Sequence, residues 1–308
     1  MITINSKQKK LIVVVPAYNE ADRIVETIRS IFSVTAKLAT DNVISLIYVV
    51  DDGSTDNTYK LACEAGANRV LRHRVNQGLG AAIRTGLLAA RADEADIVVK
   101  LDADLQHDPG DIVALIRPIL DDYADVVYGN RFEGITYKMA FVRRIGNTVF
   151  TILMRWLTRW PLKDSQPGIF AVNRAYIEVF YFPGDYNYTQ QILLDAYHKG
   201  MRFAHVPVVF RERVTGKSFV SLKYPLKVLP QIVMILVSIK PMRVFAPMGF
   251  FALAIGGVVF FWELGLWFMG INNKPVIHVY AVLGLLMFGL QTLFFGILAQ
   301  LIVQFKQK

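Results

Sequence analysis

Cysteine is almost absent: one residue, Cys63, in 308 excludes a disulfide framework and a cysteine-rich zinc site. Charge is also scarce, 19% of residues against a hydrophobic share of 54% and a mean hydropathy of +0.36. That balance is too apolar for an ordinary soluble protein and excludes a disordered one. The apolar run before Pro16 is too short for a signal peptide. No P-loop pattern occurs, which removes support for ATP hydrolysis of that type. In Asn76–Ile83 (NQGLGAAI) the third glycine of a dinucleotide fingerprint would fall at Ile83, with no properly spaced strand leading in, so nicotinamide and flavin binding are rejected. Acid falls short of base, 25 Asp+Glu against 34 Lys+Arg, a net charge of +9. Such a charge suits a phosphate-rich partner: nucleic acid, anionic lipid headgroups or a nucleotide.

The apolar excess is concentrated near the C-terminus. Met248–Ile271 has Glu263 as its sole ionisable group, and Val276–Val303 has none except His278. Each run exceeds the roughly 20 residues needed to cross a hydrocarbon core, which predicts two transmembrane helices, about 248–271 and 276–303. Only Asn272 to Pro275 lie between them, so they form a hairpin, and Glu263 either snorkels, pairs within it or acts. Lys240, Arg243, Lys306 and Lys308 flank the spans, against Lys274 alone in the turn. The positive-inside rule then places the bulk of the chain and both termini in the cytoplasm, making this an integral membrane protein. Residues 223–243, with the apolar but proline-interrupted Tyr224–Ile239, fit a segment lying in the membrane interface; a third span is the competing reading.

Residues 1–222 form the other expected domain. Short apolar runs at Lys10–Val15, Val43–Val50, Ile97–Leu101 and Asp125–Tyr128 alternate with helical patterns at Asn19–Phe32 and Asp56–Gly66. This predicts an α/β fold with a mostly parallel sheet and helices on both faces. Ligands bind at the carboxyl ends of strands in such sheets. Three polar turns stand there: Pro16-Ala17-Tyr18-Asn19-Glu20, Asp51-Asp52-Gly53-Ser54-Thr55-Asp56, and Asp102-Ala103-Asp104-Leu105-Gln106-His107. Were the last segment extended, Asp102, Asp104 and Gln106 would point the same way and offer oxygens to one hard cation, Mg2+ or Mn2+, able to bridge a diphosphate. The alternative is an Asp-rich turn that caps the helix beginning at 108–111.

With these turns in register, the sequence resembles family-2 glycosyltransferases of the GT-A fold through VVVPAYNE, VVDDGSTDNT, NQGLGAAIRTG and LDADLQHDP. GNRF at Gly129–Phe132, DSQPGIFAVNR at Asp164–Arg174 and RERVTGKSF at Arg211–Phe219 look like the polyprenyl-phosphate branch typified by dolichol-phosphate mannose synthase. The resemblance implies a GT-A, Rossmann-like catalytic domain. Pro16, Tyr18, Glu20, Val50, Asp51, Asp52, Gly78 and Ala103 would hold the nucleotide. Asp102, Asp104 and Gln106 would bind the metal. Arg131 and the loop carrying Arg211, Arg213 and Ser218 would meet phosphates, and Asp164 and Gln166 would face the sugar. Phe219 follows Ser218 where many relatives carry Lys, leaving Lys217, Arg213 and Lys223 as candidate acceptor cations. In DSQPGIF, Pro167 and Ile169 replace the Ser and Phe commoner in mannose synthases.

Weighed on the residues alone, Arg131 fits a pair with a surface carboxylate, Tyr18 and Glu20 fit helix-start packing, and His107 and His205 fit satisfied structural histidines. The expected activity is metal-dependent, inverting transfer of a hexose from a nucleotide sugar, GDP-mannose or a UDP-sugar, to a polyprenyl phosphate. A lipid monophosphate is already largely ionised at neutral pH. In agreement, Asp185–Gln191 (DYNYTQQ) has Tyr188, Thr189, Gln190 and Gln191 where alcohol-acceptor relatives are expected to carry a carboxylate pair. A processive polysaccharide synthase would need Q-x-x-R-W and more spans; Arg155-Trp156 and Arg159-Trp160 have Ile152 and Trp156 in place of the Gln. A membrane adaptor keeping only the fold is the third reading, against which the intact acidic turns argue.

Overall fold

The structure, a computed structural model, describes residues 8–133, 141–182, 188–209, 237 and 240–306. The chain divides into two compact units, Met1–Leu222 and Lys223–Lys308.

The first unit is built on β1 (Lys9–Ala17), whose LIVVVPA run is buried on both faces, as a central parallel strand must be. β2 (Val43–Asp51) pairs with it on one side and β4 (Ile97–Lys100) on the other, both parallel. With β3 (Arg69–Arg72), β5 (Val126–Asn130), β6 (Phe170–Asn173) and β7 (Phe203–Pro207), the sheet has seven strands in the order β3-β2-β1-β4-β6-β5-β7. Every pairing is parallel except the two made by β6, which runs antiparallel to β4 and β5. The strand order reverses between β1 and β4, and crevices at such switch points are where open sheets take ligands. The expected mostly parallel α/β sheet is therefore present, with its three polar turns at the carboxyl ends of the adjacent strands β2, β1 and β4.

Helices cover the sheet through apolar stripes. In α1 (Ile24–Thr35) the buried positions are Ile24, Thr27, Ile28, Ile31 and Thr35, one face at helical spacing. α2 (Thr58–Glu64) and α3 (Leu79–Ala92) follow. α3 presses close to β1: a Cβ added at Gly86 would stand 2.3 Å from Val14 Cγ1. α4 (Asp111–Leu120), α5 (Phe141–Thr158), α6 (Arg174–Val179) and α7 (Tyr188–His198) complete the unit.

Two helices start later than their periodicity suggests, Asn19 standing at φ +53°, and side chains of the turns hold the backbone just before each. Residues 19–23 stay outside α1: the amides of Asn19 and Glu20 donate to Ser54 Oγ (2.9 Å) and Thr58 Oγ1 (2.8 Å). Asp56 is excluded from α2 since its carboxylate accepts from the amides of Thr58 (3.0 Å) and Ala21 (3.2 Å), a local bond that competes with helix.

The second unit contains α8 (Met242–Phe268) and α9 (Val279–Lys306), both long and apolar enough to cross a membrane. They lie back to back through small residues: a Cβ at Gly249 would come within 2.7 Å of Leu293 Cγ, and one at Gly289 within 2.6 Å of Leu253 Cγ. The connection is longer than the four residues expected. α8 stops at Phe268 before Gly270 at φ +73°, and α9 begins only where Glu263 holds the amides of Ile277 (2.7 Å) and His278 (3.1 Å). Glu263, 6% exposed, thus pairs within the hairpin. The expected interfacial segment Tyr224–Ile239 lies outside the described residues, Val237 apart.

Candidate active site

The turns after β1 and β2 are bound to each other. Asp52 N donates to Ala17 O (2.9 Å), and Asn19 Oδ1 accepts from Thr55 N (2.9 Å). Asp51 is wholly buried, one oxygen accepting from Ser54 N (3.0 Å) and the other 3.1 Å from Arg72 Nε. Asp52 organises the NQGLG loop: Oδ1 accepts from Gln77 N (2.9 Å) and meets His73 Nδ1 (2.7 Å), while Oδ2 accepts from Gly78 N (2.8 Å). His73 continues to Thr85 Oγ1 at 2.9 Å. Gly53, at φ +73°, has no room for a side chain, since a Cβ would lie 2.6 Å from the Val75 carbonyl carbon. Both acids therefore serve the loop framework. Tyr18 is 45% exposed, and Glu20 pairs with Arg23 at 2.9 Å.

β4 ends at Lys100, and the acidic segment after it is a turn with Leu105 at φ +60°. This corrects the extended geometry expected from residues two apart. Asp104 Oδ1 accepts from Gln106 N (3.1 Å), and the Asp102 side chain is 25% exposed with Oδ1 held 2.6 Å from Lys100 Nζ. Hard, partly exposed carboxylate oxygens suit Mg2+ or Mn2+. Among the described residues no three His, Cys, Asp or Glu side chains gather as one ligand set, so a cation here would take further oxygens from water or a phosphate. His107, just beyond, is 2% exposed, and burial pushes its imidazole down to about 4. It is a neutral packing group whose Nε2 would lie 2.1 Å from a Cβ added at Gly168.

Arg131 follows β5. The carboxylate it meets is not on the surface: Asp164 is wholly buried, with Arg131 Nε 2.8 Å from Oδ2 and Nη2 3.3 Å from Oδ1. This pairing replaces the surface ion pair that the residues alone allowed. Nη2 also donates to Gln166 O, and Asp164 Oδ1 accepts from Gln166 N (2.9 Å) and Asn147 Nδ2 (3.3 Å). Arg131, Asp164 and Gln166 thus form one network. His107 packs against Gly168, two residues beyond Gln166, which brings that network beside the acidic turn.

α7 packs against β5 and β6, with Tyr188 beside Phe170. Tyr188, Thr189, Gln190 and Gln191 are all buried. Tyr128 Oη donates to Thr189 O at 2.6 Å. Gln190, 1% exposed, has both side-chain amide atoms without a hydrogen-bond partner among the described residues. No carboxylate stands in this first turn.

Lys100, His73 and Asn147 were missed by sequence reasoning. Lys100 carried a signal, a cation ending the apolar strand IVVK; the other two had none. Arg211, Arg213, Ser218, Lys217 and Lys223 lie outside the described residues.

A sheet with this switch point, and acidic turns at three adjacent strand ends, puts the candidate active site at the carboxyl ends of β2, β1 and β4. The profile of glycosyl transferase family 2 matches residues 12–180, and the chain belongs to that family. It is a glycosyltransferase of the GT-A fold. It is 32% identical over 189 residues to the UDP-N-acetylglucosamine–dolichyl-phosphate N-acetylglucosaminyltransferase of Methanococcus voltae, covering 56% of this chain and 72% of that one. With the glycosyltransferase AglJ of Haloferax volcanii it shares 25% identity over 305 residues, 94% of this chain and 93% of the relative. Among solved structures it is similar to glucosyl-3-phosphoglycerate synthase of Mycobacterium tuberculosis in complex with Mn2+, UDP and glucosyl-3-phosphoglycerate. The TM-score is 0.57 at 25% identity, over 74% of this chain and 79% of that one.

Proposed function

We propose that this protein transfers a hexose from a nucleotide sugar to a polyprenyl phosphate at the cytoplasmic face of a membrane, inverting the anomeric centre. The observation that carries the reading is the first turn of α7, which holds Tyr188, Thr189, Gln190 and Gln191 and no carboxylate. An alcohol acceptor needs such a base; a phosphate monoester arrives ionised. The Methanococcus voltae relative, named for a dolichyl-phosphate acceptor, supports the same class, and two helices apolar enough to span a membrane suit a lipid substrate.

In this reading Pro16, Tyr18, Glu20, Val50 and Ala103 line the nucleoside, and Asp51 and Asp52 hold the loops, with Gly78, around it. Asp102 and Asp104, with Gln106, would hold a divalent cation, which when bound offsets charge on the leaving nucleoside diphosphate. The solved complex with Mn2+ and UDP supports that assignment. Arg131, kept rigid by Asp164, orients the sugar-facing Gln166 segment and adds positive charge near the diphosphate. Arg211, Arg213 and Ser218 would receive the acceptor phosphate.

The test is a donor panel (GDP-mannose, UDP-glucose, UDP-N-acetylglucosamine) offered with polyprenyl phosphate or the free polyprenol, with product read as glycolipid. Transfer to the phosphate alone is expected. Efficient use of the free alcohol would sink the reading.

A further inference from the structure

Lys100 is a cation where the strand pattern has no place for one. Ile97, Val98 and Val99 before it are buried apolar residues, and the lysine itself is 1% exposed. Burying an ammonium costs several kcal/mol unless its donors and charge are matched. Here the match comes from three separate segments. Nζ is 2.6 Å from Asp102 Oδ1 in the turn after β4 and donates to Gly168 O (2.6 Å) in the loop before β6. It also lies 5.7 Å from the ring centroid of Tyr188, the first residue of α7. Gly168 packs closely against His107, whose Nε2 would lie 2.1 Å from a Cβ added there.

We propose that Lys100 is a positioning residue: it fixes the Asp102 carboxylate for the divalent cation of the diphosphate and ties it to the Asp164–Gly168 loop. The inference rests on Asp102 being a cation ligand, as read above. With Oδ1 held by the buried ammonium and the side chain 25% exposed, a cation would be met through Oδ2. An aspartate on an unsupported turn would have to give up side-chain and turn freedom when a cation binds. The buried ammonium imposes that order beforehand, which is how a supporting contact strengthens a ligand without touching the bound group. The same ammonium reaches the loop that carries Asp164 and Gln166, so the cation side and the sugar side of the cleft share one strut. A lysine that merely filled the core would affect folding stability and leave the cation's affinity alone.

The experiment uses the full-length protein in detergent. Binding of Mn2+ is measured by electron paramagnetic resonance with GDP or UDP present, for wild type, Lys100→Met and Tyr188→Phe, beside circular dichroism and thermal unfolding. Lys100→Met is expected to weaken Mn2+ binding at least tenfold. The Mn2+ concentration for half-maximal transfer should rise by the same factor, while the donor KM at saturating Mn2+ changes less than twofold. Tyr188→Phe, which keeps lysine, aspartate and ring but removes the phenol oxygen that hydrogen-bonds the ammonium, should shift Mn2+ binding two- to threefold the same way. It decides the question if Lys100→Met does not fold. Unchanged or tighter Mn2+ binding in the folded variant overturns the inference and leaves the cation reading intact. No nucleotide-dependent Mn2+ binding by wild type overturns both.

Discussion

Arg131 and Asp164, 33 residues apart in the chain, meet side-on in the interior, Nε to Oδ2 at 2.8 Å, with the carboxylate wholly screened from solvent. Losing one partner strands the other charge. Arg131→Met should therefore cost about 3–5 kcal/mol of stability. Adding Asp164→Asn to it should recover part of that loss, giving a coupling energy of roughly 1–3 kcal/mol in a double-mutant cycle. Denaturant unfolding of the four proteins in detergent measures it, and strictly additive costs would mean the pair is not coupled.

Asp104→Asn is expected to abolish metal-dependent transfer without unfolding the chain. The amide keeps an oxygen for Gln106 N, which now donates to Asp104 Oδ1, so the turn survives. A neutral amide is a poorer ligand for a hard cation. The check is glycolipid formation across a Mn2+ titration, with circular dichroism as the control; full activity would remove Asp104 from the cation site.

His205 gives the fold an acid-sensitive point. Its Nε2 accepts from Lys163 N at 3.0 Å, and burial pushes the imidazole down to about 4. The unfolded histidine, near 6.5, takes up protons more readily than the folded one. Its contribution is thus complete above about 6.5 and is lost as pH falls from there through about 4. His205→Gln, with an acceptor oxygen but no titration, should show a smaller drop in melting temperature between pH 7 and pH 5 than wild type. An identical drop would assign the acid sensitivity to other groups.

Glu263 clasps the hairpin by accepting from the amides of Ile277 and His278, at the entrance to α9. Removing a side-chain cap of this kind costs about 0.5–2 kcal/mol, so Glu263→Ala should speed hydrogen exchange at those two amides by roughly twofold to thirtyfold. Exchange by mass spectrometry in nanodiscs reads it directly, with α8 amides as the reference.

Much of this was written in local pattern. Continuous apolar runs predicted β1, β2 and β4 because parallel strands are buried on both faces. The two C-terminal helices followed from run length, and the polar turns stand at strand ends as their spacing predicted. Boundaries failed where a turn's backbone leaves the helical region, as at Asn19, which stands at φ +53° with its amide on Ser54 Oγ.

The sequence by itself determined the alternation of elements, the length and apolarity of α8 and α9, and the residue types of the acidic turns, since each is a property of neighbours along the chain. Tertiary structure alone decided the partners. It buried Asp164 beneath Arg131, bonded Asp52 to the Gln77–Gly78 loop, and set Lys100 between Asp102 and Gly168. Ion pairs and hydrogen bonds in a core depend on which distant segments the sheet order brings together. That order, with β6 inserted antiparallel between β4 and β5, is fixed by packing of the whole domain and leaves no local periodic mark.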